Sequence, residues 1–278
     1  MPIFEKLFLA VLTKAEDNAG TSSTFNVTVN VSGDDILDRD FDPDLDDAEA
    51  QVLWSDTLPS PFDSTGLTNS SIRLGIRDDD AWGPQEVLLF GQAEPDFQPG
   101  RIVALAMESD LQHWLSTDSS EGNLTMPIRL VSPGSSATVI RRVLMLVDTV
   151  WSSLFGADTG TDSPIELEVR AGGNIVLKQE MDDTAQADLE SGTTNWYYFD
   201  AAVPFTRADV LANGGITLRI LGDDAWRPGP LFLFGLDTAT GRPNEVVNLN
   251  SQPLRDLGWM STDPSEGSSE VEITVASF

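Results

Sequence analysis

The sequence predicts an all-β protein built from two tandem antiparallel β-sandwiches. Three observations carry this reading. One phrase is written twice: "RDDDAWGPQEVLLFG" begins at Arg77 and "LGDDAWRPGPLFLFG" at Leu221. Apolar residues recur with a period of two, as half-buried strands require, and Gly, Pro, Asn and Asp punctuate the runs. Helical periodicity is scarce.

Taken in chain order, the apolar run Leu7-Phe8-Leu9-Ala10-Val11-Leu12 comes first. It is short, follows Glu5-Lys6 and lacks a small-residue cleavage site, so it reads as a strand rather than a signal peptide. Phe25, Val27, Val29 and Val31 then alternate with Asn26, Thr28 and Asn30. Ile72, Leu74 and Ile76 form the next alternating set, matched later by Ile216, Leu218 and Ile220. Ile165, Leu167 and Val169 alternate in the second half. "VLLF" at Val87 and "LFLF" at Leu231 are unbroken apolar runs, so both of their faces should be covered.

The repeat sets the domain organisation. Asp80-Ala81-Trp82 returns as Asp224-Ala225-Trp226, and Trp114-Leu115-Ser116-Thr117-Asp118 as Trp259-Met260-Ser261-Thr262-Asp263. Ala19-Gly20-Thr21 pairs with Thr159-Gly160-Thr161. The landmarks keep their order, as a tandem duplication would. The joint is expected at "SPGSSA", residues 132–137, which is small, polar and carries a Pro-Gly turn signal. The expected domains are residues 1–131 and 138–278.

Charge narrows the function. The 278 residues carry 45 acids against 16 Lys and Arg, a formal net charge of -29. Such a field repels nucleic acid and bare anionic membranes and favours cations or basic partners. The Asp-rich, Lys-poor balance also suits a saline habitat, where an acidic surface stays soluble. There is no cysteine, hence no disulfide or thiol nucleophile. No run approaches the ~20 apolar residues of a membrane-spanning helix.

Enzymatic readings find little support. His113 is the only histidine, which excludes a multi-histidine metal centre, and Gly258 stands at its place in the second half. There is no P-loop, nucleophile elbow or dinucleotide fingerprint. With 45 acids, a close carboxylate pair is expected by chance. "DRDFDPDLDDAE", Asp38 to Glu49, approximates an EF-hand loop, but Pro43 stands where that loop needs a glycine with positive φ. It reads as a solvated acidic loop.

"NAGTSSTFNVTVNVSGDD", "ADTGTDSPIELEVRAGG" and "DLESGTTNWYYFD" resemble the opening strands and turns of the PLAT, or lipoxygenase-homology, family. "DDAWGP" and "DDAWRP" resemble the Asp-Ala-aromatic-x-Pro loop of its alpha-toxin-like members, and "SDLQHWLST" their late Trp-containing segment. The resemblance covers most of both halves. It implies about eight strands per sandwich and a binding module that docks to membranes or to a partner protein. In the toxin-like members loops at one end hold Ca²⁺. Carried over, that set is Asp158, Gly160, Asp224 and Ala225 in the second half, and Asn18, Gly20, Asp80 and Ala81 in the first. Asn18 departs from the acidic pattern, so the first site is expected to be the weaker.

The residue types suit the ion independently. Ca²⁺ takes 6–8 oxygens from carboxylates, carbonyls and water. Acids crowded in one loop repel unless a cation sits among them. Glycine at 20 and 160 is expected to let a carbonyl be aimed from a tight turn. The plainer alternative is that Asp80 and Asp224 cap a turn. Trp82 and Trp226 follow the acids directly and are expected as membrane or partner contacts in the docking reading; the plainer alternative, a buried plug at one end of the sandwich, is the favoured one. Trp151, Leu154 and Phe155 form an apolar tip before Asp158, where the first half has the polar "TKAEDNAG".

The sequence therefore points to a non-catalytic, Ca²⁺-dependent binding protein that docks to a membrane surface or lipid. A structural or targeting subunit with a protein partner, or a toxin-like membrane-acting protein, are the alternatives. The expected location is outside the cell or on its surface, with the cytoplasm as the alternative.

Overall fold

The computed structural model describes residues 3–31, 33–54, 58, 61–93, 101–150, 159–181 and 189–277. The chain divides into two compact units, Met1–Pro133 with Gly241–Pro243, and Gly134–Thr240 with Asn244–Phe278. The division falls inside the expected joint. Within the second unit the Gly134 N–H donates to the Val246 carbonyl at 2.9 Å.

In the first unit one sheet runs Ala50–Trp54, Ile3–Thr13, Pro84–Ala93, Arg101–Glu108, all antiparallel. The other runs Asp34–Phe41, Phe25–Val31, Ile72–Ile76, Thr125–Pro127, also antiparallel. Counted within the unit, these orders are fourth-first-sixth-seventh and third-second-fifth-eighth.

The second unit repeats both orders. Its first sheet runs Thr194–Thr206, Val139–Thr149, Pro228–Leu236, Glu245–Asn248. Its second runs Asn174–Glu180, Ile165–Ala171, Gly215–Ile220, Glu270–Ile273. Duplication is thus visible in connectivity as well as in sequence, and each unit is an antiparallel sandwich of eight principal strands.

The period-two pattern explains the cores. Leu7, Leu9 and Val11 from one sheet meet Phe25, Val27, Val29, Ile72, Leu74 and Ile76 from the other. In the second unit Val143, Met145 and Val147 meet Ile165, Leu167, Val169, Ile216, Leu218 and Ile220. Each such fully buried side chain contributes about 1.5–3 kcal/mol. The unbroken runs Val87–Phe90 and Leu231–Phe234 are buried at every residue, as their lack of alternation predicts.

The second unit departs from the expected wet outer face. Glu166 and Glu168 point away from the core yet are only 6% and 2% exposed. Arg219 lies across them at 3.3 and 2.8 Å, Lys178 adds a contact to Glu166 at 3.3 Å, and Arg170 reaches Glu168 at 2.7 Å. The side-chain bond from Arg219 is the main reason the Glu168 carboxyl is held below the usual range. The single α-helix among the described residues, Arg207–Asn213, starts on a capping box between Thr206 and Asp209.

Candidate functional site

Both tryptophans of the repeated phrase are buried, which corrects their assignment as surface contacts. Trp82 and Trp226 are 0% exposed. Each indole N–H donates at 3.1 Å to a threonine at the end of its unit's first strand, Thr13 or Thr149. Those threonines follow matching register shifts and pair with Pro84 and Pro228, which have no N–H for the ladder. Backbone bridges to Leu115 and Met260 complete the setting. The alternative of a plug closing one end of the sandwich is the observed one.

With the ring fixed inside, the residues before it are held at the surface. Asp80 Oδ2 accepts the Ser22 N–H at 3.3 Å, and Oδ1 accepts the Ala81 N–H at 3.0 Å. The Asp80 N–H donates to Ser23 Oγ at 3.2 Å. Asp224 repeats this: its carboxylate accepts from Asp162 N at 3.2 Å and Ala225 N at 2.9 Å, and its N–H donates to Ser163 Oγ at 3.0 Å. Both acids therefore cap and tie their turns.

The Ala-Gly-Thr turn is pinned from another side. The N–H groups of Asn18 and Gly20 both donate to the Asp47 carboxylate, at 3.1 and 2.8 Å. Asn18 has φ 63°, a left-handed conformation asparagine tolerates. A Cβ at Gly20 would lie 2.4 Å from the Leu45 carbonyl oxygen, and one at Gly160 2.8 Å from that of Leu189. Close approach of a second chain segment, rather than positive φ, is what requires glycine there. Thr21 and Thr161 donate to those same carbonyls, so Ser191 stands where Asp47 stands. An acid thus stands at 47 where the second unit has a serine, and its two oxygens are taken by the turn N–H groups. In the second unit the serine bonds the Thr159 hydroxyl at 2.8 Å.

The late segment closes the site. Ser116 Oγ donates to Glu121 at 3.1 Å, and Asp118 accepts from the N–H and hydroxyl of Ser120, both at 2.8 Å. Ser261, Glu266, Asp263 and Ser265 make the same knot. These bonds hold the Asp118 and Asp263 carboxyls below the usual range, the backbone N–H being the larger cause. Thr117 ties this segment to the Asp78 carbonyl at 3.2 Å, and Thr262 ties its copy to the Gly222 carbonyl at 2.8 Å.

In the first unit these pieces surround an open depression of about 450 Å³, lined by Asn18, Asp79, Asp80, Ala81, Trp114 and Glu121. It brings together three of the four expected residues. Gly20 is not in the lining. Asp79, Trp114 and Glu121 are additions to the expected set; Asp79 lies in the first repeated phrase, Trp114 opens the second, and Glu121 follows three residues after it ends. Lys14 Nζ lies 5.8 Å from the Trp114 ring centre. At Gly83 a Cβ would meet the Trp114 ring at 3.3 Å; the second unit has Arg227 there, paired with Asp256 at 3.0 Å. Asp158, Trp151, Leu154 and Phe155 lie outside the described residues.

Does this donor set suit Ca²⁺? The residues lining the depression carry carboxylates and a side-chain amide, oxygen types that a hard cation takes. Among the described residues no group donates to the carbonyl oxygens of Gly20 or Ala81. Each Asp80 carboxylate oxygen accepts one N–H and keeps a second lone pair. No three of His, Cys, Asp and Glu gather around one point among the described residues. An ion held here would have to draw on carbonyl, amide and water oxygens as well as acids.

The "DRDFDPDLDDAE" stretch is no calcium loop. Asp38 and Asp40 sit on strand Asp34–Phe41 and bond Asn26 at 2.7 and 2.8 Å and Arg77 at 3.2 and 2.7 Å. His113 is exposed. No protein-family model matches the chain, and no curated protein matches it.

Proposed function

We propose that the chain is a non-catalytic binding protein whose end loops hold Ca²⁺ and dock to a lipid surface. The observation carrying this is the depression in the first unit, where oxygen donors from three separate segments line one space while Trp82, Asp47 and Ser23 hold those segments in place. Asn18, Asp80 and Ala81, with Asp79 and Glu121, are the residues that would hold the ion there. In the second unit the set carried over from the resemblance is Asp158, Gly160, Asp224 and Ala225. The ion would supply a positive centre that bridges protein carboxylates to lipid phosphates. The protein's own part is to fix the donors before the ion arrives, which lowers the ordering cost of binding.

Charge constrains the docking mode. A net charge of -29 opposes approach to an anionic bilayer, and a few bound ions do not reverse it. Contact is therefore local and confined to the loops. The test is flotation of the full-length chain with vesicles of zwitterionic lipid, with Ca²⁺ and with chelator. Co-flotation that needs Ca²⁺ and is lost in Asp80→Ala/Asp224→Ala supports the reading. Flotation indifferent to both, or none at all, rejects it.

A further inference from the structure

Asparagine is used differently in the two halves. Residues 1–131 contain five, at 18, 26, 30, 69 and 123, and four of them have Ser or Thr two places on. Residues 132–278 contain six, and none has. Ser and Thr make up 21 of the first 131 residues, so chance would supply about one such Asn-x-Ser/Thr triplet among five asparagines. This triplet is the acceptor signal for N-linked glycan transfer, which also needs an exposed asparagine whose amide nitrogen is accessible.

The structure sorts the four. Asn26 lies on a strand, and its amide nitrogen is held by Asp38 at 2.7 Å and Asp40 at 2.8 Å. The Asn30 amide nitrogen donates to Asp35 at 3.1 Å and its oxygen accepts from Gly33 at 3.0 Å; the Ser32 of its triplet lies outside the described residues. Asn69 is exposed in the turn closed by the Ser71 N–H on the Thr68 carbonyl at 2.9 Å. Only its oxygen is used, by the Leu130 N–H at 3.3 Å, and a glycosylated asparagine keeps that oxygen as an acceptor. Asn123 is exposed, followed by Leu124 at 57% exposure and the exposed Thr125. Among the described residues nothing bonds its side chain.

We propose that Asn123 and Asn69 carry N-linked glycans, and that Asn26 and Asn30 do not. This rests on the expectation that the chain is exported. The donor is a lipid-linked oligosaccharide outside the membrane, used by a membrane-bound transferase. The asparagine amide nitrogen attacks the anomeric carbon and forms the C–N bond. The bond from that carbon to the lipid phosphate oxygen breaks, the lipid phosphate leaves with the electron pair, and the amide proton passes to a base of the transferase. No oxidation or reduction is involved. The Asn123 N–H is bonded to the Trp114 carbonyl at 3.0 Å, and Glu121 is two residues before it. A glycan on Asn123 therefore grows from the rim of the depression in the first unit, and the second unit stays bare.

The test is peptide mass spectrometry of the full-length chain from the cells that make it, fractionated into material outside and inside the membrane. Amidase release in heavy-oxygen water marks each occupied asparagine. Marks on Asn123 and Asn69 alone are the expected result. Thr125→Ala should remove the Asn123 mark while leaving the asparagine, and Thr125→Ser should restore it, which separates signal from folding. Chain outside the membrane with Asn123 unmodified overturns this proposal and leaves the export expectation standing. Unmodified chain found only inside overturns both. A glycan on Asn26 or Asn30 overturns the sorting by amide engagement.

Discussion

At the scale of single residues, duplication supplies an internal comparison. Thr13 and Thr149 hold equivalent indoles, so Leu12 and Asp148 occupy equivalent places one residue earlier. The first unit puts a leucine there, 7% exposed; the second puts a carboxyl whose one described partner is the Thr194 hydroxyl at 2.7 Å. Burial raises the Asp148 pKa from 3.8 to about 6, and the Thr194 bond offsets only part of that. A carboxyl whose folded pKa is raised favours the fold while protonated. Its contribution is present below about pH 4 and is lost as pH rises toward 6. At 1.36 kcal/mol per pKa unit the loss is at most about 3 kcal/mol, and roughly 1–2 after partial solvation is allowed for. Asp148→Asn should therefore unfold at a higher temperature than the parent at pH 8 and at the same temperature at pH 4. A gain of equal size at both values would show that charge is not the cause.

At the scale of elements, the sequence was readable where one face meets the core. Strands Phe25–Val31 and Ile72–Ile76 match their alternating runs end to end, because side-chain direction along a strand has a period of two. It was unreadable where charged side chains cover a sheet. Glu166 and Glu168 look solvent-facing in sequence, yet their burial depends on Arg219 and Lys178 from neighbouring strands. The site was legible to a similar degree. The Asp-Ala-Trp phrase announced a structured loop, but the pairing of Asp47 with Gly20 spans 27 positions, and no local pattern encodes it. Trp82 illustrates the same limit, since its partner Thr13 lies 69 positions away. The charged roof yields its own expectation. Arg219→Met leaves Glu168 beside Arg170 and Lys178 alone, and should cost about 2–3 kcal/mol at pH 7, somewhat under the 3–5 of a fully broken buried pair. The Glu168 pKa is depressed in the fold, so the stability it gives is present above the unfolded value and lost as pH falls through the folded one. The gap between parent and variant in denaturant unfolding should therefore shrink below about pH 4, near the unfolded carboxyl value. A gap that stays constant would assign Arg219 a packing role only.

At the scale of the whole molecule, charge makes any cation stabilising, and a specific site has to be separated from screening. The first 131 residues hold 24 acids against 7 bases and the rest 21 against 9, so both halves repel themselves. Added salt of any kind should raise the melting temperature as the screening length falls from about 30 Å at 0.01 M to about 10 Å at 0.1 M. Ca²⁺ held by the loops adds a different term. It grows as the logarithm of ion concentration over Kd, reaching about 2.7 kcal/mol at a hundredfold excess for one site on the folded state. The comparison is Ca²⁺ against Na⁺ at matched ionic strength, on the full chain. Asp80→Ala and Asp224→Ala apportion the gain between the units. Each also loses turn bonds that the acid makes without metal, to Ser22 and Ala81 or to Asp162 and Ala225, so each starts from a lower melting temperature. The quantity to compare is the Ca²⁺ increment and not the starting value. Asp80 lines the depression with Asn18, Asp79 and Glu121, so Asp80→Ala should remove a measurable part of the increment, and the first unit is then not silent. If Ca²⁺ and Na⁺ raise the melting temperature equally once ionic strength is matched, the acids act by their field alone, and Asp80 and Asp224 are turn caps and nothing more.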